Sequence, residues 1–261
     1  MKKFIILVLV VILTGNLAFA ATKKEKSVLD ISYETKDKFL IKAKLSLPFE
    51  KRERYPMVVL MHSIGYSSEY WLDLPTKLRQ AGFAVLEVDF RGHGKSIYDA
   101  NLKKINWYYL SAKAYGKFPQ DVLGLLLYIN QNYKKISVSN LVFVGADIGA
   151  NTAILSASQL KTKPVLMVLI SPSRQFKGLY TPIALTDIKC PILVIYSQKD
   201  TRSKIEAANL AKFAQNSYSI KTYPNGGPGM LMLKVNKNMD TDIANWITQK
   251  LNIAANKKIK K

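Results

Sequence analysis

An acidic residue stands where a strand is expected to turn sharply into a helix. Over Leu141–Asn151 the chain reads LVFVGADIGAN, an apolar run entering a G-x-x-x-G frame centred on Asp147. Gly145 and Gly149 permit a tight strand-to-helix turn without Cβ clashes, and such a turn pushes the central side chain into the open. Ala150, Ala153, Ile154 and Ala157 follow at helical spacing. A carboxylate displayed this way is a candidate for attack. Asp is also at ease at positive φ for a purely structural reason, because its short side chain bonds nearby backbone. The other groups with chemical reach are sparse: two histidines, His62 and His93, and one cysteine, Cys190.

The elements that must position these residues alternate along the chain. Val28–Thr35 and Phe39–Leu47 alternate apolar and polar residues around a KDK turn and predict an antiparallel hairpin. Met57–Met61, Ala84–Val88, Leu141–Val144, Val165–Ile170 and Ile192–Tyr196 are solid apolar runs, as strands buried on both faces must be. A shorter strand is expected at Ser219–Tyr223. Helical spacing marks Tyr70–Gln80, a helix opened by Pro119, a helix capped by Ser203-Lys-Ile-Glu206, and Asp240–Leu251. Ile97–Phe118 is a long aromatic-rich connection, and its Trp107, Tyr108, Tyr109 and Tyr115 either pack as a local core or form a binding rim. Strands alternating with helices after a hairpin predict an α/β fold, a mostly parallel central sheet with helices on both faces. Only the 18 residues Ser173–Cys190, expected to be a short irregular stretch, separate two of the strands, which leaves no room there for a large lid.

Composition bounds the setting. The 261 residues suit one large domain, and 48% hydrophobic residues suffice for its core. Lys2 and Lys3, the apolar Phe4–Leu13 and Ala18-Phe19-Ala20 form a signal-peptide pattern. The expected organisation is a leader at 1–20, a flexible basic segment at 21–27, the folded domain at 28–251 and a frayed lysine-rich tail at 252–261. The expected destination is the periplasm or the exterior, with membrane contact through the signal peptide only. A single cysteine excludes an intrachain disulfide, and its distance from the leader excludes a lipid-modified cysteine there. The net charge of +21 either reflects lysine-rich composition or attracts anionic envelope polymer, glycan or a membrane surface. No nucleic-acid-binding motif is present.

Three loops carry a family resemblance. His62-Ser63-Ile64-Gly65 after MVVLM resembles the H-G-x-G oxyanion loop of α/β-hydrolases. Val88-Asp89-Phe90-Arg91-Gly92-His93-Gly94-Lys95-Ser96 resembles their D-x-R-G-H-G-x-S loop, and the frame around Asp147 resembles their G-x-S-x-G nucleophile elbow. The match spans roughly Val28 to Leu251 and is most similar to small, nearly capless serine hydrolases of the dienelactone-hydrolase or serine-aminopeptidase type. It implies the α/β-hydrolase fold, oxyanion-hole donors on the backbone of Ile64 and Ile148, and structural roles for His62 and His93. Ile195-Tyr-Ser-Gln-Lys-Asp200 resembles the strand end that supplies the triad carboxylate, with a plain helix-capping or turn residue as the lesser reading of Asp200.

Two triad positions depart from the family. Asp147 replaces the nucleophilic serine. Tyr223-Pro-Asn-Gly-Gly-Pro228-Gly229 resembles the Y-x-x-x-x-H-G loop, with Pro228 where the catalytic histidine belongs. Loss of both removes attack and leaving-group protonation together, so the first expectation is a protein descended from ester or amide hydrolases with catalysis lost or strongly reduced. The alternatives are an active hydrolase using Asp147 as nucleophile, as haloalkane dehalogenases and epoxide hydrolases do, or a binding module for a small ester- or amide-like ligand, a glycan or an anionic polymer. No cofactor is implied, and neither histidine has metal-ligand spacing. With the base gone, Asp147 and Asp200 are expected to face each other, one of them with a raised pKa and a lysine as the plausible countercharge.

Overall fold

A computed structural model describes residues 27–215 and 218–259, with side chains described as far as Leu251. The predicted leader and most of the basic segment after it lie outside the described residues. The strands are β1 (Val28–Glu34), β2 (Leu40–Ser46), β3 (Tyr55–Met61), β4 (Ala84–Val88), β5 (Ile136–Ala146), β6 (Leu166–Ile170), β7 (Gln175–Phe176), β8 (Leu179–Tyr180), β9 (Ile192–Ser197) and β10 (Tyr218–Tyr223). The α-helices are α1 (Leu74–Gln80), α2 (Ala112–Tyr115), α3 (Phe118–Asn132), α4 (Ile148–Gln159), α5 (Pro182–Thr186), α6 (Thr201–Ala211), α7 (Leu231–Val235) and α8 (Met239–Ile259). Eight strands form one sheet in the order β1-β2-β4-β3-β5-β6-β9-β10, while β7 and β8 make a separate small hairpin. The β1–β2 hairpin joins β4 antiparallel, and β4, β3, β5, β6, β9 and β10 run parallel.

The apolar runs are explained by burial on both faces. Met57, Val59 and Met61 of β3 enter one core with α3 and α4, whereas Val58 and Leu60 enter the other with α1 and α8. The same split divides Leu141 and Phe143 from Val142 and Val144 in β5. Each strand therefore needs hydrophobic side chains at every position, and alternation disappears.

Three expectations need correction. Asp200, not Ser203, caps α6: the helix begins at Thr201, and the Asp200 side chain accepts from the Ser203 N–H at 3.0 Å. The C-terminal helix does not stop near Leu251 but continues to Ile259, into the segment expected to fray, because no glycine or proline interrupts it. The stretch Ser173–Cys190 is not irregular; β7, β8 and α5 fold it compactly over α4, consistent with the absence of a large lid.

The parallel order also fixes where chemistry would sit. From β3 the chain moves outward to β4 and then returns to β5 on the other side, so β3 and β5 flank a topological switch point. Register pairs Met61 with Gly145, so the His62–Gly65 loop and the turn at Asp147 leave the sheet side by side.

Candidate functional site

Asp147 sits at the mouth of that crevice in strained backbone. Its φ of 54° and ψ of −115° lie between the end of β5 and the first turn of α4, as the glycine frame predicts. The flanking glycines are required by close approach: a Cβ on Gly149 would lie 2.0 Å from the Met61 carbonyl oxygen, and one on Gly145 would lie 2.3 Å from that of Gly149. These contacts clamp α4 against the end of β3 and aim Asp147 at the loop after it.

The carboxylate is directed into the place the resemblance assigns to an oxyanion. Oδ2 of Asp147 accepts from the Ile64 N–H at 3.2 Å. Burial raises the Asp147 pKa to about 6, against the lowering effect of hydrogen bonds from the Ile64 and Ile148 backbone and the charge of Arg202. Repulsion from Asp200 is the weakest of the influences on this carboxyl, so the raised pKa is a desolvation effect to which carboxylate repulsion adds little. The nearby cation is Arg202 rather than the expected lysine.

A stability signature follows. The unfolded carboxyl titrates near 3.8. Between about pH 4 and pH 6 the folded chain holds a proton that the unfolded chain releases, so this group makes stability fall as pH rises through that window. Two pKa units correspond to about 3 kcal/mol. Asp147→Asn is expected to match the original protein near pH 4 and to exceed its stability by about 2–3 kcal/mol at pH 7, read from urea midpoints; equal midpoints at pH 7 would contradict the assignment.

Asp200 is committed to its helix. Its Oδ1 accepts from the Ser203 N–H and its Oδ2 from the Ser203 hydroxyl at 2.5 Å. A cavity of about 200 Å³ nevertheless brings together Ile64, Asp147, Ser171, Asp200, Arg202 and Pro228. Four of the five sequence-derived positions, Ile64, Asp147, Asp200 and Pro228, thus line one hollow, while Ile148 is fully buried and does not. Sequence reasoning missed Ser171 and Arg202; it registered Ser63 as a serine where the oxyanion loop should carry glycine, but not its bond to the Met230 N–H.

Ser63 and Ser171 hold the loop on which the resemblance places a histidine. The Gly229 N–H donates to Ser171 Oγ and the Met230 N–H to Ser63 Oγ, both at 3.0 Å. Gly229 has φ +60°, and a Cβ there would lie 2.2 Å from Ser63 Oγ and 3.0 Å from Asp147 Cβ. The Pro228–Gly229 loop is therefore docked directly on the turn that holds Asp147.

The histidines take structural roles. His62 pairs Nδ1 with the Ser63 carbonyl at 2.7 Å and accepts from the Phe90 N–H at 3.1 Å through Nε2. Burial lowers its pKa to about 4, and burial lowers that of His93 to about 3. His93 bonds the Arg91 carbonyl through Nδ1 and stacks on Trp107 at 5.6 Å. Neither lines the cavity. Cys190 is buried, which pushes its thiol up to about 12. Among the described residues no cluster of His, Cys, Asp or Glu is arranged to hold a metal ion.

The comparisons agree with this architecture. A family model described as "Alpha/beta hydrolase family" matches residues 58–187. No curated protein sequence matches the chain. Among solved structures, the dienelactone hydrolase from Anabaena variabilis superposes with a TM-score of 0.65 at 16% identity, covering 86% of this chain and 97% of that one. Est1E from Butyrivibrio proteoclasticus, solved with ferulic acid bound, gives 0.68 at 15% identity over 84% and 99% of the two chains. A thermostable carboxyl esterase from Bacillus coagulans gives 0.65 at 14% identity over 87% and 98%. At such identities these structures speak to the fold. The family match spans the oxyanion loop, the D-x-R-G-H-G-x-S loop and the elbow, and by it the chain is a member of the α/β-hydrolase superfamily.

Proposed function

We propose that this chain is an exported α/β-hydrolase-fold protein, related to esterases, whose ester or amide hydrolysis has been lost or strongly reduced. The observation that carries this reading is the Asp147 carboxylate on the Ile64 N–H. An oxyanion hole stabilises charge that develops during reaction; here a resident anion takes the donor and repels a second one. Pro228 has neither a titratable group nor an N–H, so no base stands beside Asp147 on that loop. Export rests on the pattern at Met1–Ala20. The cavity remains as a pocket for a small ester- or amide-like molecule.

The purified protein is expected to release p-nitrophenol from short acyl esters no faster than buffer and to resist labelling by a fluorophosphonate probe. Turnover that disappears in Asp147→Asn would overturn the reading. A second reading has one observation in its favour: above about pH 6 Asp147 is ionised and needs no base to attack an alkyl carbon. Attack on a haloalkane would form a carbon–oxygen bond, break the carbon–halogen bond and expel halide. No base then activates water, so the ester would persist. A stoichiometric alkyl adduct on Asp147 in a mass spectrum, with one halide released per chain, would select this reading.

A further inference from the structure

The connection between β4 and α3 concentrates features that the cavity does not use. Residues 97–117 hold four lysines against one aspartate, a net +3. They also hold Tyr98, Leu102, Tyr108 and Tyr109, exposed by 40%, 74%, 72% and 83%. Tyr109 and Leu102 are the two most exposed large hydrophobic side chains among the described residues. Lys103, Lys104 and Lys113 are exposed beside them in the chain.

This exposure is imposed by the backbone. Residues 97–105 form a small hairpin, with Tyr98 bridged to Lys104. At its tip Leu102 adopts φ +61°, a conformation that glycine or asparagine takes more readily. Asp99 Oδ1 holds the tip by accepting from the Asn101 and Lys103 N–H groups, both at 2.9 Å. The hairpin is tied to the β1–β2 turn, where the Ala100 N–H donates to the Lys38 carbonyl at 2.7 Å. Lys36 and Lys38 are exposed on that turn. Further along, the Trp107 N–H donates to the Gly92 carbonyl, and the buried Tyr115 donates its hydroxyl to the Trp107 carbonyl at 2.8 Å. The Asn106 side chain accepts from the Tyr108 N–H and fixes the turn that displays Tyr108 and Tyr109. Half of the aromatic set is thus a local core and half is held outward.

We infer that residues 97–117 form a peripheral docking lobe for an anionic lipid surface. Tyrosine and leucine partition into the headgroup boundary, and lysines beside them are attracted to anionic lipid. A sugar polymer could stack on the tyrosines, but Leu102 offers it neither a ring face nor a hydrogen bond. No described helix is long and apolar enough to cross a membrane, so this attachment is a surface one. It does not depend on whether catalysis is lost.

Cosedimentation of the full chain tests it, with vesicles of equal phosphatidylglycerol and phosphatidylcholine beside vesicles of phosphatidylcholine alone. The apolar stretch Phe4–Leu13 is common to every variant, so differences between variants report on the lobe. Binding to the anionic vesicles is expected to weaken about 30-fold in Lys103→Ala/Lys104→Ala and to weaken in 0.5 M salt. Leu102→Gly is expected to weaken it about tenfold while keeping or raising the Tm, because glycine suits φ +61°; this separates lost docking from lost folding. Unchanged binding in both variants, or no preference for anionic over neutral vesicles, overturns the proposal. So does binding to dextran sulfate but not to vesicles, lost in Tyr108→Ala/Tyr109→Ala, which would assign the lobe to an anionic glycan.

Discussion

Asp147→Ser is expected to leave short acyl esters unhydrolysed, although it restores the family's nucleophile. The substitution frees the Ile64 N–H from the resident carboxylate. It supplies a hydroxyl with no histidine to take its proton, and Asp200 in the same hollow is held by Ser203. His62 and His93 are held away from the cavity by the Ser63 and Arg91 carbonyls, Arg202 is already a cation, and Pro228 offers no base. Lack of the base alone costs on the order of 10⁶ in kcat, or about 8 kcal/mol of barrier. Asp147→Ser/Pro228→His places a histidine at a position lining the same hollow as residue 147 and Asp200. The double variant is expected to release p-nitrophenol about 10²-fold faster than the single one, the usual scale of general-base assistance. Equal rates would mean that the loop rebuilt around Gly229 no longer presents residue 228 to the elbow.

The largest expected loss of stability comes from a different carboxylate. Arg91, from the D-x-R-G-H-G-x-S stretch, is buried and binds two acids at once. Its Nε and Nη2 donate to Asp121 at 2.6 and 2.5 Å, and its Nη1 and Nη2 donate to Asp37 at 2.9 and 3.2 Å. Its guanidinium also lies over the Phe39 ring at 4.9 Å. Burial works against the charge, but the two carboxylates outweigh it and hold the Arg91 pKa above its ordinary value. Asp121 is only 4% exposed, whereas the Asp37 side chain is 37% exposed and also meets Lys117. Asp121→Leu therefore leaves a buried guanidinium half-compensated and is expected to cost about 3–5 kcal/mol, a Tm drop on the order of 10 °C. Asp37→Asn is expected to cost no more than about 1 kcal/mol, as solvent screens that partner. Arg91→Met/Asp121→Leu removes both buried charges and is expected to recover much of the single-variant loss. A double variant as unstable as the sum of its singles would show that packing, not uncompensated charge, sets the cost.

The frame of the molecule was legible because it is written in local patterns. MVVLM and LVFV are apolar at every position, and each strand proved to be covered on both sides. The glycines around Asp147 announced a turn whose φ of 54° the fold adopts. Short elements such as α7 and β7–β8 carry too few residues for a period to show. The start of α6 was placed late because Ser203-Lys-Ile-Glu206 imitates a capping box; in the fold Ser203 donates to Asp200, and Glu206 instead accepts from Arg174 at 3.0 and 3.1 Å. The character of the site was the least legible part. That Asp147 meets the Ile64 N–H depends on the register of β3 against β5, and the clamp of Ser63 and Ser171 on Gly229 and Met230 joins segments up to 167 residues apart. Such contacts leave no local trace beyond a serine where glycine was due.

That clamp also bears on how this lineage can change. A serine at 147 without a base gains no rate, and a histidine at 228 beside an aspartate has no hydroxyl to activate. Ser63→Gly alone would release the Met230 N–H from its acceptor without admitting a substrate oxygen while the carboxylate remains. Each reversal taken singly passes through a form with nothing new for selection to favour, and the last one also loosens the loop. On the proposed reading of lost hydrolysis, the hydrogen bonds through Ser63 and Ser171 act as a ratchet: its return needs several substitutions arriving together, whereas drift toward a binding role stays open one residue at a time.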